Sequence, residues 1–227
     1  MKLRGGAGLT ERQASPAPSG QQVTVEPLTP ARWPDVEALF GEKGACAGCW
    51  CMFWRLGRGE RFDDLKGARA KRRFKALVMR GKAQGLLAYR DRAPVGWLSL
   101  GPRRDFAKLD RAPSLACDDS DQVHSLPCFF VLPGARGQGV ATALLDAAVR
   151  SLEKAGARIV EGYPVKPARP GEKIPAAFAY TGTLPLFEKA GFTVVAPRPT
   201  GRQRARKVLP APGGRNTSSR PLKRPAK

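Results

Sequence analysis

Residues 125–156 constrain the fold of this chain more than any other stretch. SLPCFFVLP at 125–133 is strand-like through its second half, GARGQGV follows as a glycine-rich loop, and ATALLDAAVRSLEKAGA reads as a helix. In that helix Val140, Leu144, Leu145, Ala148, Val149 and Leu152 recur at three-to-four spacing and form one apolar stripe. Lys154 suits its C-terminal end and Gly156 its stop. A helix with a single apolar face has to bury it, and a strand running straight into such a helix points to a sheet as the partner. The loop between them holds Gly134, Gly137 and Gly139, which permit close backbone approach and unusual dihedrals. Free amides at a helix start, aided by the helix dipole, can cradle phosphate oxygens, and Arg136 adds a charge suited to phosphate. The loop matches neither GxxxxGK[ST] nor GxGxxG, which disfavours a P-loop or a dinucleotide-binding turn. The bland alternative is an ordinary glycine-rich turn with Arg136 solvated.

The remaining segments extend the same architecture. VTVEPL at 23–28 alternates like a half-buried strand, ARWPDVEALFG at 31–41 suits a helix ended by Gly41, and 71–81 suits a second helix ended by Gly81. Strands are expected at 84–90 and 93–101, joined by a polar turn, with a long connection over 102–123. After the central helix come a strand at 158–165, a loop, a short helix within AAFAYTGTLPLFEKAG, and a last strand, FTVVA, for which 203–209 supplies a partner. This order predicts one α/β domain with a mixed central sheet flanked by helices. Residues 1–21 read as a flexible leader, 22–209 as the domain, and 210–227 as a basic tail with too little to bury to be ordered.

Charge and cysteine content narrow the setting. Lys and Arg number 40 against 19 Asp and Glu; ten of the basic residues and no acid lie from Arg198 onward, so this stretch supplies about half of the excess. A positive field favours anionic partners, whether nucleic acid, acidic lipid or a phosphate-bearing cofactor, without choosing among them. Five cysteines in a chain of 227 residues do not form the even framework of a small secreted protein. With no signal-like apolar run and no membrane-length segment, a cytoplasmic location is expected.

The segment Val131-Leu132-Pro133 through Arg136-Gly137-Gln138-Gly139-Val140-Ala141 resembles the acyl-CoA motif of the GNAT acyltransferases, usually written [QR]xxGx[GA], with Arg136, Gly139 and Ala141 at its defining positions. Downstream, Leu186-Phe187-Glu188-Lys189-Ala190-Gly191-Phe192 is similar to a second family landmark, a short helix ending in Gly-Phe. The resemblance covers roughly residues 23–209. It implies the GNAT fold, in which two parallel strands, here 125–131 and 158–165, splay apart around the pantetheine arm of acetyl-CoA or another short acyl-CoA. It also implies that backbone groups of Phe129, Phe130 and Val131 hold that arm and polarise the thioester. The amides of Gly137, Gln138, Gly139, Val140 and Ala141 would take the pyrophosphate, with Thr183 and Phe187 on the other side of the channel.

Two departures from the family pattern bear on catalysis. Ser125 stands where many relatives carry a glutamate base, and Phe187 where many carry a tyrosine acid. His124, the only histidine, and Glu161 in the next strand are the candidate bases; the bland readings are a strand-cap histidine and a carboxylate paired with an arginine. Tyr180 is the leading candidate acid, with Tyr163 or solvent as substitutes. Asp118, Asp119 and Asp121 could recognise a cationic amine or simply be a solvated loop.

Cys46-Ala-Gly-Cys49-Trp-Cys51 is read as small apolar packing rather than a zinc or redox site, so no metal is expected. The surrounding CWCMFWR resembles a variant that recurs in bacterial members of the family, and would place Trp50 and Trp54 as an aromatic wall toward the acceptor. The expected function is transfer of an acetyl or other short acyl group to a primary amine, on a small molecule or a peptide. A homodimer is compatible with this reading. The alternatives are a non-catalytic acyl-CoA-binding or regulatory protein of the same fold, and a nucleic-acid-binding module using the basic tail, which the scattered basic residues do not favour.

Overall fold

The computed structural model describes residues 22–169, 171–172, 174–175 and 178–211. The leader, 1–21, and the tail from residue 212 lie outside the described residues, as do the expectations placed on them. The chain opens with β1 (Thr24–Pro27), a helical turn, and α1 (Trp33–Phe40), which Gly41 ends. A run of turns leads to the short α2 (Phe62–Leu65), not foreseen from the sequence, and to α3 (Ala68–Met79). That second long helix starts three residues before the expected 71, and Gly81 follows its end at φ 64°.

Next come β2 (Gln84–Arg90), β3 (Ala93–Pro102), β4 (Val123–Val131), α4 (Val140–Lys154) and β5 (Ile159–Gly162). β6 (Val165–Lys166), α5 (Leu184–Lys189), β7 (Thr193–Val195), β8 (Gly201–Arg202) and β9 (Arg204–Val208) complete the order. Seven strands form one mixed sheet in the order β1-β2-β3-β4-β5-β9-β7, and β6 pairs with β8 apart from it. The expected strand at 158–165 is thus two pieces, broken at Tyr163-Pro164 where the chain leaves the sheet. β9 does pair with β7, and it also inserts between β7 and β5.

Helices cover both faces. The six stripe residues of α4 are its buried ones, and they pack with Leu86, Leu98, Leu126 and Val160 of the sheet and with Phe187 and Phe192 near α5. On the other face α1 and α3 bury Trp33, Val36, Phe40, Phe74 and Val78 against Leu87 and Trp97. A third cluster of Trp54, Phe106, Leu109, Leu115 and Tyr163 anchors the long 103–122 connection, which explains how a stretch without periodicity stays in place.

The feature that positions the site is the parting of β4 from β5. They pair in parallel from Val123–Ile159 to Leu126–Gly162 and no further, while β4 runs on to Val131 alongside β3. At the parting β4 holds one residue more than β3 between the pairs Ser99–Cys128 and Gly101–Ser125. Pro127, which has no N–H for a ladder, lies in this bulge, and the bulge bends the strand away from its parallel neighbour. Among the described residues, the β4 edge beyond Leu126 is therefore free of strand partners on that side.

Candidate functional site: a channel along the free edge of β4

A cavity of about 770 Å³ runs along β4 beyond the point where the two strands part. One wall is the β4 segment Cys128, Phe129, Phe130 and Val131; one end is Arg136, Gly137, Gly139, Val140, Ala141 and Thr142 at the start of α4. Tyr180, Gly182, Thr183 and Leu186 line the opposite wall, and the far end is Cys46, Cys49, Cys51, Phe53 and Phe62. Gly137 and Gly139 sit at φ 73° and 79°, backbone that L side chains rarely adopt, and open space surrounds both α-carbons. Conformation, not crowding, calls for glycine there, and it leaves the first amides of α4 unobstructed at the cavity end. Arg136 Nε donates to Val131 O at 3.0 Å, tying the loop to the end of β4.

Of the residues expected at the cofactor, Phe129, Phe130, Val131, Arg136, Gly137, Gly139, Val140, Ala141 and Thr183 line this cavity. Gln138 does not: its Nε2 donates to Gly134 O at 2.8 Å and its Oε1 accepts from Arg90. Phe187 does not either. It is fully buried, edge-on to Phe129 at 5.9 Å and to Phe192 at 5.0 Å, so it supports the wall from behind.

The catalytic candidates separate in the same way. Tyr180 lines the cavity; its hydroxyl accepts from Arg202 Nη2 at 2.7 Å, and burial pushes its pKa up to about 12 against the opposing pull of Arg202. His124 lies outside the lining, half-buried, in register with Pro102 and Val160. Its Nδ1 has no hydrogen-bond partner among the described residues, and burial, then the charge of Arg104, lowers its pKa.

Glu161 is also outside the lining, and its carboxylate is committed elsewhere. Oε1 accepts from Arg103 Nη1 at 2.7 Å, while Oε2 accepts from Arg204 Nε at 3.1 Å and from Arg206 Nε. Fully buried, outside the cavity and held by three guanidinium groups, the carboxylate is not placed to meet a substrate there, and the arginine-paired reading describes it. Tyr163 belongs to the same buried cluster: its hydroxyl bonds Arg103 and Ser125, and burial raises its pKa well above the usual tyrosine value.

The acidic loop and the tryptophans also take other places. Asp119 accepts both Arg206 Nη1 and Nη2 at 2.7 Å, and neither Asp118, Asp119 nor Asp121 lines the cavity. Trp50 stacks on Trp33 at 6.0 Å inside the core, and Trp54 packs behind Tyr180 at 6.5 Å. The aromatic wall is made instead by Phe40, Phe53, Phe62, Phe129, Phe130 and Tyr180.

The group that the sequence reading undervalued is the cysteines. Cys46, Cys49, Cys51 and Cys128 all line the cavity, and with Tyr180 they are its only titratable side chains other than Arg136 among the described residues. Their crowding between 46 and 51 was visible; that Cys128, on a distant strand, joins them was not. No group of three or more potential ligand side chains among the described residues has metal-holding geometry. No described helix is long and apolar enough to cross a membrane.

Several solved structures are similar in outline. A putative GNAT-family acetyltransferase from Desulfovibrio desulfuricans is 16% identical with a TM-score of 0.49, covering 82% of this chain and 99% of its own. YncA of Salmonella typhimurium, a putative acetyltransferase solved with acetyl-CoA, is 14% identical at a TM-score of 0.49, covering 86% and 98%. A ribosomal-protein-alanine N-acetyltransferase from Brucella melitensis is 17% identical at 0.48, covering 82% and 99%. No curated protein matches the chain. The sequence itself decides the matter, because residues 49–168, more than half the chain and including β4, the glycine loop and α4, match the Acetyltransferase (GNAT) family, and the chain belongs to that family.

Proposed function

We propose that this protein transfers an acetyl or other short acyl group from acyl-CoA to a primary amine. The single observation that carries the reading is the channel itself: a free strand edge along one wall, leading from unobstructed amides at the start of α4 to a pocket of aromatic and thiol side chains. Its parts fit the parts of an acyl-CoA. Arg136 and the amides of Gly137 to Ala141 suit the pyrophosphate at a helix N-terminus. The β4 backbone at Phe129 and Phe130, on the side away from β3, suits the amides of pantetheine, which would lie there as an added strand, with Thr183 and Leu186 closing the opposite side.

Chemistry at the far end then needs little. Holding both substrates in line supplies much of the rate, and a β4 amide can stabilise charge developing on the thioester oxygen. The departing thiolate needs a proton, and Tyr180 is suited to give one: it stays protonated at neutral pH, and because its oxygen accepts from Arg202, its own O–H remains free to donate. His124 and Glu161 have no part in this scheme. The free cysteines suit a reducing cytoplasm.

A second reading, an acyl-CoA-binding protein without turnover, draws on Ser125 and Phe187, since neither supplies the family's usual base or acid. Screening an amine library for acyl-CoA-dependent release of free CoA separates the two. Release with at least one amine, reduced by Tyr180→Phe, supports the enzyme; tight acyl-CoA binding with no release across the library supports the binder.

A further inference from the structure

The far end of the channel, where an acceptor amine has to meet the thioester, is built from rings and thiols. Phe53 lies edge-on to Phe62 at 5.5 Å and to Tyr180 at 6.4 Å, and all three line the cavity. Two cations stand against these rings without lining the cavity themselves. Lys108 Nζ is 3.6 Å from the centre of Phe53, and the Arg202 guanidinium is 5.0 Å from that of Tyr180. Among the described residues, no carboxylate and no imidazole lines the cavity. The rest of the chain holds one acid, Glu11, and no histidine. Around Phe62 the acids turn to other partners: Glu60 accepts from Arg73 and from the amide of Gly57, Asp63 pairs with Lys66, and Asp64 stays outside the lining. Asp105 pairs with Arg55.

These surroundings decide which amines can react. An amine attacks a thioester only with its lone pair free. An alkylamine of the lysine type, with a pKa of about 10.4, has roughly one molecule in 2,500 unprotonated at pH 7. To use it, a site needs a carboxylate to hold the ammonium and a base to take its proton. Here an ammonium would enter beside Lys108 and Arg202 with no opposite charge to meet it, and thiols are weak acceptors. Burial, then the neighbouring Cys51 sulfur, pushes Cys49 up to about 12, so Cys49 keeps its proton. The Cys51 sulfur already accepts the indole N–H of Trp97 at 2.8 Å.

We propose that the acceptor is an arylamine, a primary amine whose nitrogen sits directly on an aromatic ring. The inference rests on the acyl-transfer reading above and names its substrate class. The ring draws on the nitrogen lone pair, so the amine is neutral at physiological pH and needs no base before it attacks. Its flat apolar body suits the space beside Phe53, Phe62 and Tyr180, where rings pack edge to face or offset. The nitrogen attacks the thioester carbon, the bond from that carbon to the CoA sulfur breaks, and the nitrogen gives up one proton. Tyr180 passes its hydroxyl proton to the sulfur and takes the nitrogen's in return, so an aryl amide and free CoA leave and the protein is unchanged. A glutamate base is then unnecessary, which accounts for Ser125 at that position.

The test uses the full-length protein, acetyl-CoA and two isomers, para-toluidine and benzylamine, which share their atoms and bulk and differ in where the nitrogen sits. Acetylated product is measured by chromatography with uncatalysed rates subtracted, and acetyl-CoA binding is followed by calorimetry. At neutral pH the expected kcat/KM is at least tenfold higher for para-toluidine. Its rate should stay flat from about pH 6.5 to about pH 8.5, whereas any rate with benzylamine should climb with pH as its neutral form does. Equal rates, preference for benzylamine, or turnover only of alkylamines across the wider library overturns the proposal and leaves acyl transfer standing. Acetyl-CoA binding without product from any amine overturns acyl transfer, and the proposal with it.

Discussion

Arg103 Nη1 and Glu161 Oε1 lie 2.7 Å apart, and both side chains are fully shielded from solvent. Arg103 also donates to Asp110, Tyr163 and the carbonyl of Leu115, and so staples β3 and the 103–122 connection to β5. Arg204 and Arg206 reach Glu161 from β9. Removing the carboxylate leaves the buried guanidinium with only the solvent-exposed Asp110 as an acidic partner. Glu161→Ala should therefore destabilise the fold by about 3–5 kcal/mol in chemical denaturation. A base would behave differently: its loss would lower turnover with the stability intact.

Gly162 ends the paired part of β5, and a β-carbon there would sit 2.0 Å from Cε1 of Phe187. The ring presses directly on the backbone at the point where the strands part, and its other edge supports Phe129 in the channel wall. Gly162→Ala should cost about 1–3 kcal/mol or more, because neither the ring nor the strand can shift freely. It should also weaken acyl-CoA binding, since displaced Phe187 pushes Phe129 into the channel. A melting curve and a titration on the same variant check both effects.

His124 gives a pH-dependent prediction with a definite sign. Its folded pKa is depressed by burial and Arg104, so the folded state binds the proton less readily than the unfolded chain, whose value is near 6.5. The stability it contributes is present above that unfolded value and is lost as pH falls through the folded pKa. His124→Gln should flatten the decline in stability between pH 7 and lower values, and should leave acetyl-CoA affinity unchanged because residue 124 lies outside the channel. Urea melts across that range on both proteins provide the comparison.

What the sequence disclosed and what it hid follow from how far each determinant reaches along the chain. The glycine loop and the α4 stripe are local patterns: every buried residue of that helix was legible from spacing alone. Phe129, Phe130, Val131 and Thr183 line the cavity, in line with the places that the resemblance implied for them. Glu161 was different, because its surroundings come from Arg103, Arg204 and Arg206, which only the insertion of β9 next to β5 brings together. Phe187 was placed on the right helix but its face was hidden, since the missing side chains of Gly162 and Gly182 are what let the ring turn inward. Cysteine crowding at 46–51 was plain, yet that Cys128 joins it at one cavity depends on the path of β4.

The central claim is that the channel between β4 and β5 is an acyl-CoA site, and calorimetric titration with acetyl-CoA tests it most directly. The account predicts saturable one-to-one binding in the micromolar range. Arg136→Ala should weaken it roughly tenfold, in line with loss of one charge-assisted phosphate contact on an exposed loop. No saturable binding of acetyl-CoA or any other CoA ester to the wild-type chain would contradict it.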